Sequence, residues 1–262
     1  MYILSLDTAA KTAAVGVSRL SEDDGVLFPL TRAAVNATLT HSESLLPMID
    51  FCLKNAGLSF ADVGAVAVSA GPGSFTGVRI GIATVKGLAF GRPELPCIGV
   101  STLEALACNI AASPARRVLL PVMDARRNQF YHAFFRPGRG TKSAKDAPVK
   151  RLSADALLTF DEIAEQAARA YPGKKAVLVG DGAEAFYRLY RQSGRTDFDV
   201  ELCGYDVMYE DAFSVARVAA QLLCADGEAS AKTYTFDRLN PVYLRASQAE
   251  RERNSKPSER GH

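Results

Sequence analysis

The chain has 262 residues, enough for two modest domains or one large one and for a sizeable buried core. Its 31 lysines and arginines nearly balance its 29 aspartates and glutamates, which excludes a protein that binds nucleic acid or an anionic membrane over its whole surface. Hydrophobic residues make up 48% and charged residues 23%, the proportions of a globular protein and not of a disordered or collagen-like chain.

The cysteines and the first residues indicate in which cellular compartment the protein is expected. The five cysteines are scattered and contain no Cys-x-x-Cys pair, so they predict neither a disulfide framework nor a clustered zinc site. The start carries no basic leader and meets Asp7 after six residues, and no apolar run approaches the ~20 residues that a bilayer requires. We therefore expect a cytoplasmic protein with no membrane partner.

The first half opens with two short strands, 2–6 and 12–17, joined by a polar turn headed by Asp7. The capping box Thr40-His41-Ser42-Glu43 then predicts a helix, which Gly57 ends and Pro47 should bend or interrupt. The patterns that follow predict a strand, a glycine turn, a helix, a second strand and a second helix, at 65–70, 71–77, 78–90, 97–100 and 101–109.

The second half repeats this plan. A strand at 118–123 ends at Asp124, and after a turn another strand runs over 129–135. Two halves that open alike predict a duplicated α/β unit. A strand at 176–179, the turn Gly180-Asp181-Gly182 and a helix to Tyr190 follow, with a last helix near 212–223. We predict two lobes and a disordered charged tail, bounded at 1–110, 111–245 and 246–262, with the last helix packing back toward the first lobe.

The glycine run is the most conspicuous candidate site. A glycine turn that leads into a helix presents backbone N–H groups to an anion, so the phosphate-binding candidates are Asp7, Gly71, Gly73, Ser74 and Gly77. The spacing fits neither the Walker loop nor the dinucleotide motif. The alternative for the glycine run is a structural turn that lets strand and helix pack closely. The alternative for Asp7, and also for Asp124, is an aspartate that only caps its own turn.

The search for catalytic and metal-binding residues gives no candidate. His41 has no histidine four residues away, and His132 lies in a predicted strand, so neither predicts a metal site. Ser74 lacks a Gly-x-Ser-x-Gly elbow, which makes a hydrolytic triad improbable. We predict no catalytic residue, no metal and no cofactor.

One stretch, residues 136–151, is strongly basic. It contains six basic residues and the single acid Asp146 on a segment with prolines and glycines, which predicts a solvated hairpin loop or, alternatively, a contact with RNA.

Two helices offer a surface of apolar and small residues. We predict that they expose an apolar patch for a partner, formed by Leu45, Leu46, Ile49, Leu53, Val78, Gly81, Ile82, Val85 and Leu88. Charged substitutions at Leu45 and Val85 should then abolish association without unfolding the chain. The alternative is that the protein's own second domain covers these residues.

Four stretches together closely resemble the TsaB (YeaZ) family over nearly the whole chain. They are Leu-Ser-Leu-Asp-Thr-Ala at 4–9, His-Ser-Glu-Ser-Leu-Leu-Pro at 41–47, Gly-Pro-Gly-Ser-Phe-Thr-Gly-Val-Arg-Ile-Gly at 71–81 and Pro-Val-Tyr-Leu-Arg at 241–245. The resemblance implies the duplicated RNase H-like fold of actin, sugar kinases and the heat-shock 70 ATPase, in agreement with the two Asp-headed halves.

The resemblance also implies a role. Members of this family take part in making threonylcarbamoyladenosine in tRNAs that read codons beginning with A. The family member is a non-catalytic scaffold that binds and stabilises the metal-bearing transferase TsaD, with TsaE in a ternary complex and with a TsaC-type synthase supplying the adenylate. It forms a homodimer when TsaD is absent and meets tRNA indirectly.

Two rival functions remain open at this point. One is an independent enzyme of the actin and sugar-kinase superfamily, which hydrolyses ATP or transfers phosphate with Asp7 and the glycine turn. The other is a direct tRNA-binding module built on the basic stretch.

Overall fold

The structure is a computed structural model that describes residues 1–36, 41–138 and 143–245. Its two β-sheets share one plan, in which three antiparallel strands are extended by two parallel strands. The first sheet has the order β3-β2-β1-β4-β5. Its strands are β1 (Tyr2–Asp7), β2 (Thr12–Leu20), β3 (Leu27–Asn36), β4 (Val63–Gly71) and β5 (Cys97–Ser101). We call this sheet and the helices on its outer face the first lobe.

The second sheet repeats that order as β10-β7-β6-β11-β12, with β8 pairing with β6 and β9. We call this sheet and its outer helices the second lobe. Its strands are β6 (Val118–Asp124), β7 (Gln129–His132), β8 (Phe135–Pro137), β9 (Val149–Arg151), β10 (Ala156–Thr159), β11 (Lys175–Val179) and β12 (Asp199–Leu202). The two matching orders confirm the predicted duplicated RNase H-like α/β fold.

Seven helices cover the sheets within the described residues. They are α1 (His41–Asn55), α2 (Phe75–Ala89), α3 (Thr102–Asn109), α4 (Phe160–Ala170), α5 (Ala183–Ser193), α6 (Ala212–Asp226) and the single turn α7 (Ser230–Thr233). Helices α1 and α2 pack on the first sheet, α4 and α5 pack on the second, and α3 lies beside α6 and touches both sheets. Helix α6 packs against β1 and β2, although it comes late in the chain.

Burial on both faces explains the apolar strands at the centre of each sheet. Every residue of β1 after Tyr2 is buried, because α1 and α2 cover one face and α6 the other. In β6 the side chains alternate between two cores: Leu119 belongs to the core shared with the first lobe, and Leu120 to the core beneath α4 and α5. The sheets are therefore held together through a helical layer between them.

The helix boundaries largely follow local signals. Ser101 accepts a hydrogen bond from the backbone N–H of Glu104 at the start of α3, and Gly57 takes a left-handed φ of 70° after α1. Pro47 does not interrupt α1, which runs unbroken through it. Since a proline removes one hydrogen bond, burial of the apolar side of α1 on β2 outweighs that loss. Thr40 of the predicted capping box lies outside the described residues.

Several elements were not predicted. The predicted strand 129–135 is two strands, β7 and β8, and the strands β3, β9, β10 and β12 were not predicted. Helix α4 was not predicted either, although Thr159 and Glu162 form a capping box at its start. The basic stretch 136–151 is a hairpin between β8 and β9, with residues 139–142 outside the described part, as is the predicted tail 246–262. No helix within the described ranges has the length and apolar character needed to cross a bilayer.

Candidate functional site

A cavity of about 760 Å³ lies where the two Asp-headed turns face each other. The first lobe contributes Lys11 and the start of α2, and the second lobe contributes Asp124, Arg126 and Asp181. The segment 242–245 forms a further wall. A cleft between lobes is a usual place for a ligand site, so we take it as the candidate site.

Asp7 points into the protein and not into this cleft. Its carboxylate is 1% exposed and accepts hydrogen bonds from Ser69 Oγ at 2.5 Å and from the backbone N–H of Ala9 at 2.9 Å. Burial raises the pKa of Asp7 to about 6, against the lowering effect of these two hydrogen bonds. Asp7 therefore holds the turn between β1 and β2 in place.

The glycine run packs directly on that turn. The backbone N–H of Ser74 donates to the Ala9 carbonyl at 2.6 Å, and Thr8 Oγ1 donates to the Gly77 carbonyl at 2.8 Å. A Cβ on Gly73 would lie 2.4 Å from the Ala9 carbonyl oxygen, and one on Gly77 would lie 2.0 Å from that of Thr8. The glycines are thus required for close packing, which supports the structural interpretation of this turn over a phosphate loop.

Gly71 makes the same kind of approach to another segment. A Cβ there would lie 2.4 Å from the Val242 carbonyl oxygen, and its φ of 117° disfavours any side chain. The Val242 backbone N–H donates to the Ala70 carbonyl at 2.7 Å, so the segment 242–245 is attached to the end of β4.

Three acidic side chains, Asp7, Asp181 and Glu210, lie near one another, with Asp181 in the lining of the cleft, and only Asp7 was a candidate site residue in the sequence. Asp181 accepts a hydrogen bond from the backbone N–H of Asp124 at 3.1 Å, and burial raises its pKa. Burial, followed by the charges of Asp7 and Asp181, raises the pKa of Glu210 well above its usual value. The turn 180–182 gave a signal for Asp181, because it repeats a strand followed by a glycine turn. Nothing in the local sequence marks Glu210.

The remaining polar candidates have structural partners. Asp124 is exposed and accepts a hydrogen bond from the backbone N–H of Arg126 at 2.7 Å, which is the turn-capping role. His41 Nε2 lies 2.7 Å from the Ala10 carbonyl oxygen, and buried His132 lies 3.3 Å from Gln166 Oε1. Within the described residues no three His, Cys, Asp or Glu side chains are grouped closely enough to hold a metal ion.

An aromatic pair at the cleft was missed by the sequence search for chemistry. Phe75 and Tyr243 stack with their ring centroids 4.7 Å apart, and the Arg79 guanidinium lies 3.8 Å from the Phe75 centroid. Arg79 Nε also donates to the Tyr243 hydroxyl at 2.8 Å. The signal was the stretch 241–245, which the family resemblance used without assigning a role to Tyr243.

The structure corrects most of the predicted partner surface. Seven of the nine residues are buried in the folded chain: Leu45, Ile49, Leu53, Val78, Gly81, Ile82 and Val85. They form the sides of α1 and α2 that attach to the first sheet, so charged substitutions at Leu45 or Val85 should unfold the chain and not merely prevent association. Leu46 is 56% exposed and Leu88 is partly exposed, and Phe51, which was not predicted, is 53% exposed.

We expect Gly77→Ala to lower the free energy of unfolding by about 3 kcal/mol or more, because its Cβ would overlap the backbone at Thr8. Gly87→Ala in the same helix is the matched control. Nothing lies within 4 Å of a Cβ at Gly87, so that variant should be more stable by about 1 kcal/mol. Urea unfolding measures both, and equal effects would contradict the packing role of Gly77.

Asp7 should make stability depend on pH. Its pKa is raised in the folded state, so its contribution to stability is complete below the unfolded-state pKa and is lost as pH rises through about 6. The shift corresponds to a loss on the order of 3 kcal/mol. Asp7→Asn should flatten the decline in the free energy of unfolding between pH 4 and 7.

Urea unfolding at several pH values measures this slope. Asp23→Asn, a change at an exposed surface aspartate, should keep the wild-type slope. If Asp7→Asn leaves the slope unaltered, the Asp7 carboxyl group is not the source of the pH dependence of stability.

Comparison with other proteins gives a consistent result. The family model described as TsaD, tRNA N6-adenosine threonylcarbamoyltransferase, matches residues 35–253. The tRNA threonylcarbamoyladenosine biosynthesis protein TsaB of Escherichia coli K12 is 33% identical over 94% of this chain and 95% of its own length. A protein of Bradyrhizobium strain BTAi1 named tRNA N6-adenosine threonylcarbamoyltransferase is 31% identical over 88% of this chain and 70% of its own length.

The solved structure of YeaZ from Pseudomonas aeruginosa superposes with a TM-score of 0.68 at 25% identity, covering 93% of this chain and 99% of that one. This likeness and the E. coli relative extend over both lobes, and so over the two turns that enclose the cleft. The chain thus belongs to the TsaB (YeaZ) family, within the larger group that the threonylcarbamoyltransferase model describes, as its sequence motifs predicted.

Proposed function

We propose that this chain is a non-catalytic subunit in tRNA threonylcarbamoyladenosine biosynthesis and that it acts in the cytosol by binding and stabilising the related transferase TsaD. The names of the TsaB relatives support the pathway. The proposal includes TsaE as a third subunit and a TsaC-type synthase that supplies the adenylate, and both rest on the family resemblance.

One observation carries the non-catalytic part. The Asp7 carboxylate accepts hydrogen bonds from Ser69 and from the backbone N–H of Ala9, and the backbone of the glycine turn is hydrogen-bonded to Thr8 and to the Ala9 carbonyl. A phosphotransfer enzyme needs such a carboxylate and such a turn to face its substrate. Here both are committed to holding β1, β2 and α2 together.

The partner surface is the exposed side of α1. Leu46 and Phe51 are more than half exposed, on the helix that lies beside α2. Since five residues separate them, Leu46 and Phe51 lie at the two borders of this exposed side. Large exposed apolar side chains, aromatic ones above all, are enriched at interfaces. The chain is related to threonylcarbamoyltransferases over most of its length. A surface that pairs with a second copy about a twofold axis can therefore pair in a similar way with a related chain, so the proposal has one surface serve both a homodimer and the complex with TsaD.

Leu46→Asp combined with Phe51→Asp should weaken the complex with the cognate TsaD by more than tenfold, because two apolar anchors would become buried charges. The matched control is Leu152→Asp in the second lobe, where a leucine is 38% exposed. Size-exclusion chromatography with light scattering, at matched melting temperatures, measures the outcome. If the double variant and the control bind TsaD equally well, α1 is not the partner surface.

The second candidate, an independent phosphohydrolase or phosphotransferase, is favoured only by the cavity of about 760 Å³ with Asp124 and Asp181 in its lining. The two functions predict different behaviour of the isolated chain. We expect no ATP turnover above that of buffer. Turnover that is lost in Asp7→Asn would establish the enzyme and overturn the scaffold.

A further inference from the structure

The turn between β6 and β7 has an unusual backbone. Arg126, Arg127 and Asn128 all have left-handed φ values, of 63°, 56° and 57°. Each non-glycine residue in this conformation costs about 1–2 kcal/mol, and among them asparagine and aspartate adopt it most readily. The turn nevertheless carries two arginines and no glycine.

Hydrogen bonds on both sides hold this turn in place. Asp124 Oδ1 accepts from the backbone N–H of Arg126 at 2.7 Å, and the backbone N–H of Ala125 donates to the Gln129 carbonyl at 3.0 Å. The guanidinium of Arg245 donates to the Ala125 carbonyl at 2.6 Å and to Gln129 Oε1. The two arginines are therefore displayed from a fixed support, which lowers the entropy cost of using them in binding.

Cations from three elements meet at the mouth of the cleft. Lys11 between β1 and β2, Arg79 on α2 and Arg126 line the cleft, and Arg127 follows Arg126 in the same turn. All four are exposed, and we call them the cleft rim. Lys11 and Arg126 both lower the pKa of Asp181, so cations of the two lobes act at the same place. The whole chain has a net charge of only +2, so this concentration of positive charge is local.

The nearby acids offset this charge only in part. Asp124 lies 3.8 Å from Arg126 and caps the turn, and burial raises the pKa of Asp181. The Arg126 side chain is still 76% exposed. Beside the rim, Tyr243 is 39% exposed and stacks on Phe75. Aromatic faces next to cations are the combination that proteins use to hold nucleic acid strands.

We propose that the cleft rim binds RNA, with its cations on the phosphate backbone of the tRNA that the complex modifies. This inference rests on the proposed function and adds a direct contact to it. Each exposed cation alone contributes little, but several that span two lobes gain affinity together on a polyanion by releasing its counterions. A polyanion therefore fits the rim better than a single nucleotide does.

The test uses the full chain, alone and in its complex with TsaD, and an unmodified transcript of a tRNA that reads codons beginning with A. Arg126→Asn combined with Arg127→Asn removes two charges and places the residue best suited to a left-handed backbone at both positions. The matched control is Arg116→Asn combined with Lys174→Asn, two exposed cations that line a separate cavity of about 480 Å³. Fluorescence anisotropy over a salt series gives the affinity and its salt dependence.

We expect the rim variant to lower the slope of log affinity against log salt by about 1.5 and to weaken binding, since each lost phosphate contact removes about 0.7–0.9 from that slope. The control should match the wild type. Equal losses of RNA affinity in the rim and control variants would overturn the inference. Unchanged RNA binding by the rim variant, or a loss of binding to free ATP alone, would overturn it too.

Complex formation with TsaD separates this inference from the proposed function. The rim variant should still form the complex, whereas Leu46→Asp with Phe51→Asp should not. If the rim variant keeps both the complex and its affinity for RNA, the inference fails and the proposed function stands.

Discussion

The fold depends on the close approach of two turns in the first lobe. The glycine turn after β4 lies so near the Thr8–Ala9 backbone that no side chain fits at Gly73 or Gly77. This contact fixes where α2 begins, and the carbonyl of Val242 packs on Gly71 in the same way. One wall of the cleft is therefore set by backbone packing, and Phe75, Arg79 and Tyr243 are arranged on it as a consequence.

The same close packing excludes water from the acids behind it. The hydrogen bonds from Ser69 and Ala9 partly replace the water that Asp7 loses on burial. Burial nevertheless raises the pKa of Asp7. Glu210 has no such satisfaction: neither of its oxygens makes a hydrogen bond of standard geometry within the described residues, and the nearby acids oppose its ionisation. The Asp7 and Glu210 carboxyl groups are thus both costly to charge, because each is buried and an acidic neighbour opposes its ionisation.

The sequence predicted the elements that local contacts decide, but it did not predict which surfaces pack against each other in the tertiary structure. Apolar runs, turn residues and capping signals located both hairpins and the start of α3, because short-range contacts decide those elements. The apolar sides of α1 and α2 were predicted as a partner surface, but Leu45 and Val85 attach the helices to their own sheet. An apolar stripe indicates burial without saying against what. Glu210 could not be predicted as a site residue, because its pKa is raised by burial and by the charges of Asp7 and Asp181, which are distant in the chain.

The equivalent turns of the two lobes share their support but differ in exposure. In the second lobe, Gly180 and Gly182 again pack so tightly that a Cβ would lie 2.4 Å from the Val122 carbonyl oxygen and 2.8 Å from the Asp124 backbone nitrogen. The turns that these glycines support differ, however. The turn after Asp7 is mostly small, apolar and buried, whereas the turn after Asp124 is exposed and carries Arg126 and Arg127. Equivalent positions therefore supply internal packing in one lobe and a charged surface in the other, and a direct contact with RNA would arise from the lobe whose turn is free of the packing role.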